Sequence, residues 1–247
     1  MKLTFLGTGC WHPLHRQTAC TLLETDEANF IFDLGTGSSK LAKHLNTNKP
    51  TFVMLSHFHF DHFVGIFWLA DVFKGSEITI CGNTGVEHFV NKIMSKPFDP
   101  IPFKKLCKFK VGFKNLSKGT FHFGNAKIEV DYLHHSDTSL GYRIEADGKV
   151  FSYITDTQPC PASIELAKNA NIMVHDSTWL EIDKSTIGKH TTAKEAALLA
   201  RHANAKAFYL YHYAPNYGKK ELLQLLKEAK SIFKQTYLSE DDLVVKF

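Results

Sequence analysis

The sequence predicts an α+β protein in which two β-sheets pack together with helices outside, as a single domain spanning residues 1–247. Three observations predict it. Short β-rich runs are followed by stretches with apolar residues at helical spacing; that order occurs twice along the chain; and no linker, low-complexity stretch or internal sequence repeat separates the two occurrences.

In the first half, MKLTFLG (1–7), TACTLLET (18–25) and NFIFDLG (29–35) are strands of β-branched and aromatic residues, and SSKLAKHL (38–45) is a short helix. TFVMLS (51–56) is an apolar run without glycine and predicts a buried strand. After it, Phe63, Ile66, Phe67 and Ala70 fall at helical spacing, so one helix is expected to about residue 73. EITICGN (77–83) is a strand, GVEHFVNKIMS (85–95) a helix and the Pro-punctuated KPFDPIP (96–102) a loop. In the second half, GTFHFGNAKIEVDYLHH (119–135) and SLGYRIEADGKVFSYITDT (139–157) are strand pairs, the latter turning at Ala146-Asp147-Gly148. PASIELAKNA (161–170) is a helix, NIMVHDSTW (171–179) a strand, TTAKEAALLARHANA (191–205) a helix and KAFYLYHY (206–213) a strand. KKELLQLLKEAKSIF (219–233) is the last helix, before the strand DLVVKF (242–247).

Composition excludes several classes. With 44% hydrophobic and 22% charged residues, the chain is neither fibrous nor disordered. MKLTFLGTGC lacks the form of a signal peptide, and no apolar stretch has the length needed to cross a bilayer, so no membrane is expected as a partner. Five scattered cysteines without a Cys-x-x-Cys fit reduced thiols, and a cytoplasmic location is expected. A net charge of +4 does not by itself indicate nucleic acid. Lys104, Lys105, Lys108, Lys110, Lys114 and Lys118 alternate with Phe103, Phe109 and Phe113. Such a segment could grip a phosphate backbone, but it reads better as an edge strand whose lysines prevent pairing with other chains. An exposed aromatic-rich edge would also allow a homodimer.

The chemistry concentrates in Ser56-His57-Phe58-His59-Phe60-Asp61-His62, four potential metal ligands in six residues where a strand hands over to a helix. Imidazole and carboxylate form a ligand set that suits zinc. Side-chain alternation puts His57 and His59 on one side, and Asp61 falls at the helix start, a position that favours a carboxylate. The carboxyl end of a strand is also where α/β sheets build their sites.

These residues carry a resemblance. GTGCWHP at the first strand and turn, FDLG, and the SHFHFDH signature resemble the metallo-β-lactamase superfamily, an αββα four-layer sandwich of hydrolases, over essentially the whole chain. The resemblance implies a third histidine upstream of a Gly-Tyr strand, for which His135 fits better than His134. It further implies a bridging aspartate after a hydrophobic strand, Asp156 in SYITD, and a last histidine in FYLYHYAPNY, His212. By that resemblance His57, His59 and His135 would hold one metal, Asp61, His62 and His212 a second, and Asp156 would bridge them. Two divalent ions are implied, Zn2+ by ligand type, with Mn2+ or Fe also compatible. Asp33 would either orient a ligand histidine or cap a turn.

A hydroxide bridging two such ions would exist near neutral pH and would attack an ester, amide or phosphodiester. Lys189-His190-Thr191-Thr192, ahead of a helix that Thr191 or Thr192 could cap, resembles the phosphodiesterase branch, meaning ribonuclease Z and the phosphonate-pathway cyclic phosphodiesterase. HDSTW (175–179) resembles a motif of the same branch. Asp61 and His190 are thus the expected catalytic residues, with His190 contacting the phosphate and assisting the leaving group.

His135 and Asp156 lie 21 positions apart, where a ribonuclease Z would carry a long arm that grips tRNA. The sequence reading therefore expects tRNA to be an unlikely partner and a small-molecule or cyclic phosphodiester to be the substrate. The cysteine-rich zinc insertion of the cyclic phosphodiesterases is also absent; Cys10, His12, His15 and Cys20 could form a small substitute site, although such residues near a turn are more often incidental. The competing readings are a thioester or lactone hydrolase of the same fold, and a non-catalytic metal-binding accessory protein.

Overall fold

The computed structural model describes every residue of the chain except Thr186. Among the described residues, two seven-stranded sheets form the middle layers. The first is built from β1 (Lys2–Gly7), β2 (Cys20–Glu24), β3 (Asn29–Phe32), β4 (Thr51–Met54), β5 (Glu77–Gly82) and β6 (Lys110–Asn115). The second holds β7 (Gly119–Phe123), β8 (Ala126–Leu133), β9 (Ser139–Ala146), β10 (Lys149–Ile154), β11 (Ile172–Asp176), β12 (Phe208–Tyr211) and β13 (Thr236–Leu238). The last strand, β14 (Val244–Lys246), returns to pair with β1 in the first sheet.

Each sheet opens with antiparallel strands and continues as a parallel set: β1-β2-β3 then β3-β4-β5-β6, and β7-β8-β9-β10 then β10-β11-β12-β13. The parallel crossovers carry the helices. These are α1 (Leu41–His44), α2 (Phe60–Phe63), α3 (Ile66–Val72), α4 (Val86–Ile93) and α5 (Phe103–Leu106) in the first half, and α6 (Pro161–Ala167), α7 (Ala193–His202) and α8 (Lys219–Lys230) in the second.

Three apolar clusters hold the layers. Between the sheets, Phe5, Phe30, Phe32, Tyr142, Phe151, Tyr153 and Tyr211 interlock, with Phe32 and Tyr153 stacked at 4.9 Å. Outside the first sheet, Leu41, Ile66, Leu69, Val86 and Val90 cover its outer face. Outside the second, Leu166, Ala196, Ala197, Ala200 and Leu225 do the same, the alanines letting α7 lie close. The result is the expected αββα order.

Local differences have local causes. The expected helix over 62–73 is broken into α2 and α3 at Gly65. Its N–H donates to Leu34 O at 2.6 Å, and a Cβ there would meet Leu34 O at 2.7 Å and run into Ser38 Oγ. The loop over 96–102 runs directly into the one-turn helix α5, and β13 is too short to have shown a period. The Lys-rich segment supplies β6, which among the described residues pairs only with β5 and forms the sheet's edge, with Lys104 and Lys114 lying over the rings of Phe113 and Phe123. The hairpin β9–β10 turns on Asp147 and Gly148, both with positive φ of 50° and 66°, the geometry of a two-residue Asp-Gly turn. Among the described residues no helix is long and apolar enough to cross a membrane.

Candidate metal centre

The candidate metal ligands and Asp33 follow the C-terminal ends of strands: Asp33 after β3, His57 to His62 after β4, His135 after β8, Asp156 after β10 and His212 after β12. The two sheets bring these ends to one rim, so residues far apart in sequence converge. His57, His59, His135 and Asp156 offer ligand atoms within 4.8 Å of one another, and Asp61, His62 and His212 do likewise.

The distances favour two adjacent cation positions. His135 Nε2 lies 3.3 Å from His59 Nδ1, and both His57 Nε2 and His135 Nε2 lie 3.6 Å from Asp156 Oδ2. The other oxygen, Oδ1, lies 3.2 Å from His62 Nε2 and 3.1 Å from His212 Nε2. Asp61 Oδ2 closes that second group at 3.4 and 3.5 Å from the same two nitrogens. Ligands about 2.0–2.1 Å from a tetrahedral zinc are separated by about 3.4 Å, so both sets of spacings fit a metal.

Two further observations test the fit. His57 Nε2 is buried without a hydrogen-bond partner, and His62 Nε2 and His212 Nε2 face each other at 3.0 Å, close enough to share a proton in the metal-free protein or to hold a metal ion between them. Protonation agrees in part. Burial and then His62 push His57 well below the usual imidazole range, and burial brings His135 down to about 4, leaving both neutral. Burial alone would raise Asp61 and Asp156, but the neighbouring histidines hold both well below the carboxylate range, so both are anionic. His62 differs: burial opposes its charge, yet Asp156, Asp61 and Asp33 raise it well above the usual value, and a metal would have to displace that proton.

A buried framework aims the ligands. Asp33 accepts from Ser56 N at 2.7 Å, Ser56 Oγ at 2.9 Å, His62 Nδ1 at 2.8 Å and Tyr153 OH at 2.9 Å. His57 Nδ1 lies 2.9 Å from the same Ser56 Oγ, so one carboxylate orients two imidazoles and leaves each Nε2 free for a metal. Thr178 Oγ1 lies 3.3 Å from His212 Nδ1. Phe58, on the opposite side from His57 and His59, packs on Phe63 and Phe89 and pins the segment. Asp33, Asp156 and His212 all adopt left-handed φ, of 60°, 51° and 65°, which turns each side chain out of its strand into the site.

His190 is buried at the same rim, its ring 5.4 Å from that of His135 and 5.2 Å from that of His212. Its Nδ1 lies 2.8 Å from Asp176 Oδ2. Burial works against its charge, but Asp176 wins and pushes it up to about 9. Thr192, not Thr191, caps α7 through a capping box with Glu195, while Thr191 Oγ1 donates to Thr157 O. Asp176 had no role assigned from sequence, although HDSTW contained it. Trp11 was missed as well: its N–H donates to Asp61 Oδ2 at 2.7 Å. His134 is exposed and His135 buried. Among the described residues, Cys10, His12, His15 and Cys20 do not gather into a ligand cluster.

Comparison with known proteins gives the same frame. The family model for the β-lactamase superfamily domain matches residues 29–213. A ribonuclease Z of Listeria innocua is 27% identical over 305 aligned positions, covering 98% of this chain and 97% of the relative. Among solved structures, a metallo-β-lactamase fold protein of Bacillus subtilis superposes with TM-score 0.81 at 21% identity over 99% of both chains. The short form of human tRNase Z superposes with TM-score 0.79 at 21% identity, over 100% of this chain and 99% of that one. The expectation that tRNA is an unlikely partner is therefore corrected. The sequence similarity to a ribonuclease Z covers 98% of this chain and 97% of the relative, so the short segment before Asp156 is not by itself a ground for setting tRNA aside.

Proposed function

The chain belongs to the β-lactamase superfamily as a metal-dependent hydrolase, and we propose that it is a phosphodiesterase working with two divalent metal ions, Zn2+ by ligand type. The observation that carries the reading is the division of Asp156, one oxygen facing His57 and His135 and the other facing His62 and His212. In this reading His57, His59 and His135 hold one ion, Asp61, His62 and His212 the other, and Asp156 bridges. The bound pair would supply Lewis acidity and a nucleophile at neutral pH.

The chain's own residues do the rest. Asp33 and Ser56 fix the ligand tautomers. Asp176 holds the His190 ring in place, with Nδ1 engaged and the ring turned toward His135 and His212, so that Nε2 is the atom left to donate to a phosphate or leaving oxygen. Phosphate is favoured over an acyl centre because the Lys189-His190-Thr191-Thr192 segment resembles the phosphodiesterase branch and a ribonuclease Z matches the chain along its length. The ribonuclease Z relatives bring RNA phosphodiesters, tRNA among them, into the substrate class beside small and cyclic phosphodiesters. Five unpaired cysteines are in keeping with a cytoplasmic setting.

Metal-loaded protein should cleave bis(p-nitrophenyl) phosphate, and His190→Ala should lose most of that activity while still binding metal. Thioester or lactone cleavage without phosphodiesterase activity would overturn the reading. Metal analysis should find about two equivalents, falling with Asp156→Ala; one equivalent or none in the unaltered protein refutes the two-ion site.

A further inference from the structure

Beside the metal centre stands an aromatic group that the hydrolytic chemistry does not use. Trp11 sits in the loop between β1 and β2, 42% exposed, in a left-handed conformation with φ 56°. A bulky residue at positive φ is strained by roughly 1–3 kcal/mol and persists only where its surroundings impose it. Here they do. On one side Cys10 N donates to Tyr213 O at 3.0 Å; on the other His12 N donates back to Cys10 O at 2.7 Å, closing a tight turn around Trp11. The Trp11 N–H itself is fixed on Asp61 Oδ2.

The indole is positioned as firmly as its backbone. Its ring meets Trp179 edge-on at 5.7 Å and 62°, and lies 6.2 Å from the His190 ring. Trp179 is backed in turn by Tyr217 at 6.5 Å. A strained, buttressed and partly open π-surface thus flanks the His190 imidazole.

We infer that Trp11 is a positioning residue for a nucleobase, and that the substrate is a nucleotide phosphodiester whose base stacks on this indole while its phosphate lies against His190. The inference rests on the phosphodiesterase reading and narrows its substrate. Nucleotides are the phosphodiesters that place a flat aromatic face one sugar away from phosphorus, and stacking on an aromatic side chain accepts any base, at about 1–3 kcal/mol per base. An aliphatic phosphodiester is the alternative occupant; a flat base is favoured because Trp11 meets Trp179 edge to face and still keeps 42% of its surface open.

The test has two arms. In the first, kcat/KM is compared for a uridine dinucleotide and for the same molecule lacking one base or the other, with unaltered protein and with Trp11→Ala and Trp11→Phe. The preference for the base-containing substrate should fall about 5- to 150-fold in Trp11→Ala and be largely kept in Trp11→Phe. An unchanged preference overturns the inference, because a purely structural role would lower both substrates together. In the second arm, binding of UMP, ribose 5-phosphate and hexyl phosphate to the metal-loaded protein is measured without turnover. UMP should bind more tightly than ribose 5-phosphate, and Trp11→Ala should erase that advantage. Equal binding of UMP and ribose 5-phosphate overturns the inference, as does a Trp11-dependent gain for hexyl phosphate matching that for UMP. If the first arm finds no phosphodiester cleavage at all, the phosphodiesterase reading has failed and the second arm still decides the role of Trp11.

Discussion

Asp33 shows how much of this site depends on a side chain that would touch no metal. It accepts four hydrogen bonds, from the amide and hydroxyl of Ser56, from His62 and from Tyr153, and it is fully buried. In Asp33→Asn the amide would turn a donor toward these donors, leaving a buried polar pair unsatisfied at about 1–3 kcal/mol. Metal affinity should fall roughly 10- to 100-fold, read by competition with a chelator, alongside a lower unfolding midpoint; unchanged affinity would show that the ligand histidines hold their tautomers without it. A second residue pair predicts a pH effect in the metal-free protein. Asp176 raises His190 to about 9, above the value of about 6.5 for an unfolded imidazole. The pair's contribution to stability is therefore complete below about pH 6.5 and is lost as pH rises through about 9. Chemical denaturation should show a decline across that window, and the decline should be absent in Asp176→Asn. At this scale the sequence was legible where the proposed ligands are contiguous: His57, His59, Asp61 and His62 stand out by spacing, and the fold gathers their side chains. His135, Asp156 and His212 needed the family resemblance, because only the fold brings them near. Asp176 and Trp11 acquire roles through distances of 2.8 Å and 2.7 Å to residues 14 and 50 positions away, and although Asp and His are enriched at positive φ, residue type alone does not single out Asp33, Asp156 and His212 among the chain's other Asp and His residues.

Among the elements, the break between α2 and α3 and the start of α7 do the most to set the site. Gly65 lets the chain leave α2 against the segment that follows β3, which holds His62 and its neighbours close to the turn that carries Asp33. In Gly65→Ala the new methyl would run into Ser38 Oγ and Leu34 O, so one element must shift. Overpacking of this kind costs about 1–3 kcal/mol, and thermal unfolding should show the loss together with weaker metal binding. At α7 the capping box of Thr192 and Glu195 fixes the helix start two residues after His190. Thr192→Ala should lose about 1 kcal/mol of stability in denaturant titration; a loss near zero would mean that the buried alanine face alone positions α7. Strand and helix order was legible because apolar periods of 2 and 3.6 differ plainly over long runs. The helix break was not, since its cause is a close approach between distant segments, and β13 is too brief for any period to show.

For the whole molecule, the site is also a joint. The first sheet supplies His57, His59, Asp61 and His62, the second supplies His135, Asp156 and His212, and each proposed ion would take ligands from both. Between the sheets the aromatic layer is buried and apolar, but at the rim the facing groups are imidazole nitrogens and carboxylates, and some of their buried polar atoms lack partners, His57 Nε2 and His135 Nδ1 among them. Bound cations would therefore stabilise the folded chain in proportion to their free concentration, by about 2.7 kcal/mol for one ion at a hundredfold excess over its dissociation constant. Removing metal with a chelator should lower the melting temperature, and adding back Zn2+ should restore it with a dependence on free metal that fits two sites. Hydrogen exchange should localise the loss to the segments after β4, β8, β10 and β12, where the ligands sit, while the strand centres packed around Phe32 and Tyr153 stay protected. A melting temperature indifferent to the chelator, or a loss of protection spread evenly through both sheets, would show that the aromatic layer alone joins the halves and that the rim contributes nothing to their union.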